Sequence, residues 1–321
     1  MIKKLLGISM AAAALLTAAP ASAQVLMTAD EIRFYTPEWR GERFPDGRPR
    51  IPDELVERAR AISLEEAWGT LRSQGYNNQF ESNWQSLRPG EVMVGRALTA
   101  QFMPLRPDMH AALSREAQRL RGWDDKSNIW PIQSLQPGDI YVADAYGKVV
   151  DGTLIGDILG NSIYARSRNG FVFDGSVRDL QGLTAIEGFN GLFREADPSA
   201  IREMQMVEIN SPIRIGRATV LPGDLVVAKF GGVVFIPAHL AELVVTQSEF
   251  ISLRDQFAHD SIRTGRYGPE QMDTAWTPAI QRAFVDWVRA NPDRMPMTEA
   301  QWQEALRRNN WDSSGRTNNR R

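Results

Sequence analysis

Two apolar runs decide the fold. Ile140-Tyr141-Val142-Ala143 is launched by the turn Pro137-Gly138-Asp139, and Phe171-Val172-Phe173 leads into Asp174-Gly175-Ser176-Val177-Arg178-Asp179. Both are short apolar runs of strand length. Between them, Ile155, Ile158, Leu159 and Ile163 recur at helical spacing. Arg166 and Arg168 fall in the last turn and Gly170 follows as a stop. Strand, helix and strand within about 35 residues make a βαβ unit, and with it an α/β fold.

That unit places chemistry. A right-handed crossover brings both parallel strands out at the same edge of the sheet. The helix starts there, near Gly156-Asp157, and the second strand ends there, just before Arg178-Asp179. Asp157 and the Arg178-Asp179 pair, with twenty residues between, therefore converge on one crevice. Ligands of open α/β sheets bind outside the carboxyl ends of the strands. The amides of Gly156, Asp157, Ile158 and Leu159 open the helix and suit a carboxylate.

Outward from the unit, Asp53 to Gly75 is helical in pattern, with Ser63 and Glu66 spaced as a capping box. Pro104 to Trp130 reads as helix plus loop. Apolar stretches follow at Val207 to Ile215, Leu225-Val226-Val227-Ala228 and Val233-Val234-Phe235-Ile236, the last two joined as a hairpin by Lys229-Phe230-Gly231-Gly232. From His239 the pattern is helical again, with Thr298 and Gln301 capping a late helix.

The N-terminal end has two parts. Residues 1–23 read as a signal peptide: Lys3 and Lys4, the apolar run from Leu5 to Ala19, then the small-x-small site Ala21-Ser22-Ala23 before Gln24. The mature protein is expected to be exported, periplasmic or secreted, with no membrane span once the leader is removed. Residues 24–52 are rich in Pro, Gly and Arg and carry Phe34, Tyr35, Trp39 and Phe44. They read as an extended arm lying on something, because aromatics are wasteful in a free linker. The α/β domain is expected over 53–240, a helical C-terminal extension over 241–311, and a disordered tail over 312–321.

Composition narrows the chemistry. The 321 residues are 43% hydrophobic and 24% charged, with a formal net charge of −2. This is a globular composition without the basic footprint of a nucleic-acid binder. Cysteine is absent, so thiol catalysis, disulfides and cysteine-held metals are excluded. His110, His239 and His259 show no paired ligand spacing. A Gly-x-Ser-x-Gly elbow and a phosphate-binding Gly-Lys-Ser/Thr loop are missing. Asp144-Ala145-Tyr146-Gly147 does not supply the glycine-rich loop a methyltransferase needs.

The same motifs carry a resemblance. Gly138-Asp139-Ile140-Tyr141-Val142-Ala143-Asp144, Gly156-Asp157-Ile158-Leu159, Asp174-Gly175-Ser176-Val177-Arg178-Asp179 and Pro222-Gly223-Asp224-Leu225-Val226-Val227-Ala228 occur in this order. They resemble the RraA-like family. That family includes the regulator of ribonuclease activity A, class II 4-hydroxy-4-methyl-2-oxoglutarate aldolases, and proteins once labelled dimethylmenaquinone methyltransferases. The resemblance covers roughly Asp53 to Leu240. It implies a phosphohistidine-like swivelling β/α domain assembled as a homo-trimer or hexamer, with sites between subunits. Asp179 would hold a divalent metal, Mg2+ or else Mn2+, and Arg178 would bind the pyruvyl end of a 2-oxo acid. The amides of Gly156 to Leu159 would cradle its carboxylate, and Asp157 would position a water or accept a proton.

The implied activity is a metal-dependent lyase working by retro-aldol cleavage or by decarboxylation, as of oxaloacetate. The alternative is a non-catalytic exported binding or regulatory protein. Departures that bear on substrate include the insertion around Ser114 to Trp130, the helical extension after Leu240, and two changes of charge. Leu180-Gln181-Gly182-Leu183 stands where aldolases of the family often carry acids, and the usually acidic hairpin reads Lys229-Phe230-Gly231-Gly232.

Overall fold

The computed structural model describes residues 25–311. The expected leader (1–23) and tail (312–321) lie outside the described residues.

In chain order the elements are α1 (Ala29–Tyr35), α2 (Asp53–Arg58), α3 (Leu64–Ser73), β1 (Phe80–Glu81), β2 (Gln85–Ser86), β3 (Met93–Pro104), α4 (Pro107–Arg121), α5 (Trp130–Ser134), β4 (Asp139–Asp144), α6 (Asp157–Ser167), β5 (Phe171–Val177), α7 (Leu180–Thr184) and β6 (Gly191–Ala196). There follow β7 (Met204–Ile209), β8 (Ile213–Ile215), β9 (Ala218–Val220), β10 (Leu225–Lys229), β11 (Gly232–Ile236), α8 (Ala241–Arg263), α9 (Pro269–Met272), α10 (Pro278–Ala290) and α11 (Glu299–Arg308). The fold is mixed α/β.

The βαβ unit forms as the apolar runs require. β4 and β5 pair in parallel, with Tyr141 opposite Phe171 and Asp144 opposite Asp174. The full nine-stranded sheet runs β1-β11-β10-β3-β4-β5-β6-β2, with β7 also pairing to β3. β3, β4, β5 and β6 are parallel, and the outer pairings are antiparallel. Every residue of β4 and β5 is buried, which explains why their sequences do not alternate. One face packs Leu98, Tyr141, Phe171 and Phe173 against α4, α6 and α7 through Leu113, Ile163 and Leu183. The other packs Ile140, Val142 and Val172 under the β8–β9 hairpin. The extension builds its own aromatic core from Phe250, Phe257, Phe284, Trp276, Trp302 and Trp311.

Three local expectations change. The stretch Asp53–Gly75 is two helices, α2 and α3, and the second starts where Ser63 and Glu66 cap each other reciprocally. Val207–Ile215 divides between β7 and β8, turned at Asn210 with φ 62°. The arm is not extended throughout: Thr28 and Glu31 form a capping box that starts α1. The rest of the arm docks through Arg48, whose guanidinium meets Asp139 at 2.9 Å with both side chains fully buried. Arg48 also takes Asp46 at 2.7 Å and faces the Phe44 ring.

Candidate functional site

The crevice is built by two backbone ties. Just past the end of β5, the Arg178 amide donates to the Ile155 carbonyl at 3.0 Å. Two residues earlier the Leu154 amide donates to the Ser176 carbonyl, also at 3.0 Å. These bonds lay the end of β5 against the segment entering α6. Asp157, in the first turn of α6, and Arg178-Asp179, at the start of α7, are thereby brought together as the crossover geometry requires.

Asp179 adopts the left-handed region, φ 57° and ψ 43°, and its carbonyl accepts the Leu183 amide at 2.9 Å, opening α7. Aspartate tolerates this conformation better than most residues, and strain of this sort concentrates at ligand-holding positions. Its carboxylate is 40% exposed and accepts no hydrogen bond among the described residues. Its ion pair with Arg178 is loose, Oδ2 to Nη1 at 3.6 Å, with the guanidinium 43% exposed. Neither group is committed to the fold, so both can turn to a ligand.

Two glycines stand inside the crevice. A Cβ on Gly156 would overlap Asp179 Oδ2 and lie 3.2 Å from Asp179 Cγ and 3.3 Å from Arg178 Nε. A Cβ on Gly182 would lie 2.6 Å from Asp157 Cβ and 2.9 Å from its Oδ2. Gly156 has φ −118°, so its role is close approach and not an unusual dihedral. Gly156 was legible as part of the helix start. Gly182 lies in Leu180-Gln181-Gly182-Leu183, and nothing local in that stretch signals its contact with Asp157.

The amide cradle needs one correction. Asp157 Oδ1 already accepts the Ile158 amide at 2.8 Å, so that donor is taken. Asp157 and Leu159 keep free amides at the helix start among the described residues, since the Gly160 amide turns back to the Gly156 carbonyl at 2.9 Å. The Ile158 side chain is 77% exposed beside the crevice.

On the same strands but the opposite sheet face, Asp144 and Asp174 sit side by side, both nearly buried. Arg194 holds Asp174 at 2.6 Å. Burial pushes the Asp144 carboxyl up, with the Asp174 charge adding to the effect. This pair faces the β8–β9 side and not α6.

Among the described residues no three His, Asp or Glu side chains gather into a metal cage. The donor set nonetheless fits magnesium, which keeps several waters and is bound through one or two carboxylates plus substrate oxygens. Asp179 offers one hard, accessible carboxylate that accepts no hydrogen bond among the described residues.

Comparison with known proteins agrees with the motif order. The family model described as RraA-like, Aldolase/RraA, matches residues 53–235, more than half of the chain. A protein of Halalkalibacterium halodurans, provisionally named 4-hydroxy-4-methyl-2-oxoglutarate aldolase, is 27% identical over 152 residues, which are 47% of this chain and 71% of the relative. Among solved structures, Streptomyces coelicolor RraAS2, described as an unusual member of the RNase ES inhibitor RraA protein family, superposes with TM-score 0.55 at 26% identity. That match covers 65% of this chain and 98% of the other. An uncharacterized protein of Pseudomonas syringae pv. tomato shares the fold with TM-score 0.58 at 23% identity, over 73% of this chain and 99% of its own.

Proposed function

The chain belongs to the RraA-like family, and from that premise we propose that it is an exported, divalent-metal-dependent lyase acting on a 2-oxo acid. One observation carries the reading: Asp157, Arg178 and Asp179 converge at the carboxyl edge of β4 and β5 around a loosely paired, accessible carboxylate. The proposal includes a phosphohistidine-like swivelling type of fold, Mg2+ (or Mn2+) as the cation, and a homo-trimer or hexamer in which a neighbouring acid completes the site.

In this reading the planar guanidinium of Arg178 meets the substrate carboxylate and keto oxygen together, which an ammonium group does poorly. The free amides of Asp157 and Leu159 take the other carboxylate oxygen. Asp157, held beside the Ile158 amide, accepts the proton of the substrate's C4 hydroxyl, directly or through a water. The C3–C4 bond breaks, its electron pair moves toward the former keto oxygen as an enolate, and a proton returned to C3 gives pyruvate. A divalent cation held by Asp179 would supply the positive charge that this developing oxyanion needs, so no lysine Schiff base is required. Decarboxylation of oxaloacetate passes through the same enolate.

A non-catalytic binding or regulatory role is the second reading, favoured by the lack of a third acid beside Asp179 among the described residues. Pyruvate release separates the two. The full chain, offered hydroxy-oxo diacids and oxaloacetate with Mg2+ or Mn2+, is expected to release pyruvate and to stop when EDTA is added. Release of none, from any of these substrates, would leave the binding role. Export is checked by N-terminal sequencing of protein recovered from the native cell, which should begin at or near Gln24.

A further inference from the structure

Each acid of the crevice rests against a glycine of the other helix. Gly156 precedes α6 and lies under the carboxylate of Asp179, which precedes α7. Gly182 lies inside α7 and meets Asp157, the first residue of α6. The two contacts are reciprocal, and neither glycine has a dihedral that calls for one. We propose that Gly156 and Gly182 are positioning residues, which set where the two acids point by offering bare backbone as their seats. The inference rests on the lyase reading for its consequence, but the contacts can be tested without it.

The two seats differ in what they touch. At Gly156 the nearest atom is the far end of a short side chain, Asp179 Oδ2. An added methyl would turn that carboxylate away and leave the backbone where it is. At Gly182 the nearest atom is Asp157 Cβ, at 2.6 Å, which is fixed to the start of α6. A methyl there would push α6 and α7 apart, disturbing Asp157 and the free amides together. Gly156→Ala is therefore the clean probe of direction, and Gly182→Ala the probe of spacing. A displacement on the order of 1 Å in a reacting group can cost about a hundredfold in rate.

Gly182 leaves no room for a side chain of its own. Any side chain at this position, acidic or not, would occupy the space that Asp157 now uses.

The experiment uses the full chain and two double-mutant cycles read by urea unfolding: Gly182→Ala with Asp157→Gly, and Gly156→Ala with Asp179→Gly. Removing the partner's side chain is expected to relieve the penalty of each added methyl, so both cycles should show coupling. In parallel, Mn2+ is titrated by calorimetry into wild type and Gly156→Ala. Gly156→Ala is expected to lose less stability than Gly182→Ala and to bind Mn2+ about tenfold more weakly, with kcat falling on the order of a hundredfold and KM moving less. Additive cycles would overturn the seats. So would a Gly156→Ala protein with wild-type Mn2+ affinity. If wild type binds no Mn2+ while both cycles couple, the seats stand and the metal-dependent reading falls.

Discussion

Two arginine–aspartate pairs occupy opposite edges of one sheet. At the amino edge of β4, Arg48 and Asp139 meet at 2.9 Å with no exposure at all. At the carboxyl edge of β5, Arg178 and Asp179 stand 3.6 Å apart, each about two-fifths exposed. The residue types are the same and the physics is opposite. A buried charge cannot lose its partner without a large desolvation penalty, so Arg48 and Asp139 are bound to each other and to the fold. A half-exposed pair trades its partner for water at little cost, so Arg178 and Asp179 remain available. The tight pair is architecture and the loose one is a candidate for chemistry.

The contrast breaks most visibly at Arg48. Arg48→Met fills similar space but strands Asp139, one of whose oxygens, Oδ1, already lacks a partner. Urea unfolding is expected to show a loss of about 3–5 kcal/mol. A loss below about 1 kcal/mol would mean that the buried pair is no more committed than an exposed one.

At the other edge the effect should fall on activity instead. Asp179→Asn keeps size and removes the charge that, on the proposed function, would hold a hard cation. Stability should stay within about 0.5 kcal/mol, as for exposed substitutions. Pyruvate release should drop roughly a hundred- to a thousandfold, about 3–4 kcal/mol of transition-state stabilisation. Equal Mn2+ affinities for the two proteins would remove Asp179 from the site.

How much of this was legible in the sequence depends on how local each feature is. The βαβ unit was readable because its strands are continuous apolar runs and its helix has regular spacing. The capping boxes at Ser63/Glu66 and Thr298/Gln301 were readable for the same reason. Thr28 and Glu31 carry the same signal, and α1 could have been found from it. Arg48 could not: a charged residue in a Pro- and Gly-rich stretch reads as surface until Asp139, far along the chain, arrives beside it. Gly182 is equally mute alone, since its meaning comes from the contact between α6 and α7.

The smallest effect sharpens the picture of the committed edge. Asp224 is also buried there. The Asp224 carbonyl accepts the Ala97 amide at 2.9 Å, and Arg48 reaches the Ala97 carbonyl at 3.4 Å. Unlike Asp139, Asp224 has no arginine partner among the described residues; its Oδ2 accepts the Leu221 amide at 2.9 Å. Burial pushes its carboxyl up to about 7, against the pull of the Leu221 and Ala238 amides. The folded protein thus keeps a proton that the unfolded chain gives up near pH 4. Folded protein binding more protons means stability falls as pH rises through this window and levels off above about 7. Between pH 6 and pH 7, wild type is expected to lose about 1 kcal/mol more than Asp224→Asn. Parallel stability curves for the two proteins would show that Asp224 is ionised in the fold.

The partners of β3 have a consequence in time. On one side it pairs with β4, but its other side is completed by β10 along Met93–Arg96 and by β7 along Ala100–Pro104. Those strands follow it by about a hundred residues or more. A growing chain that ends after β6 therefore holds the whole parallel set with one bare edge. Pairings across such distances close slowly, and an unpaired strand edge invites other chains. The strand at the centre of the finished sheet is the rim of the unfinished one, and the interval before β10 arrives is when this chain is most exposed to association with its own copies.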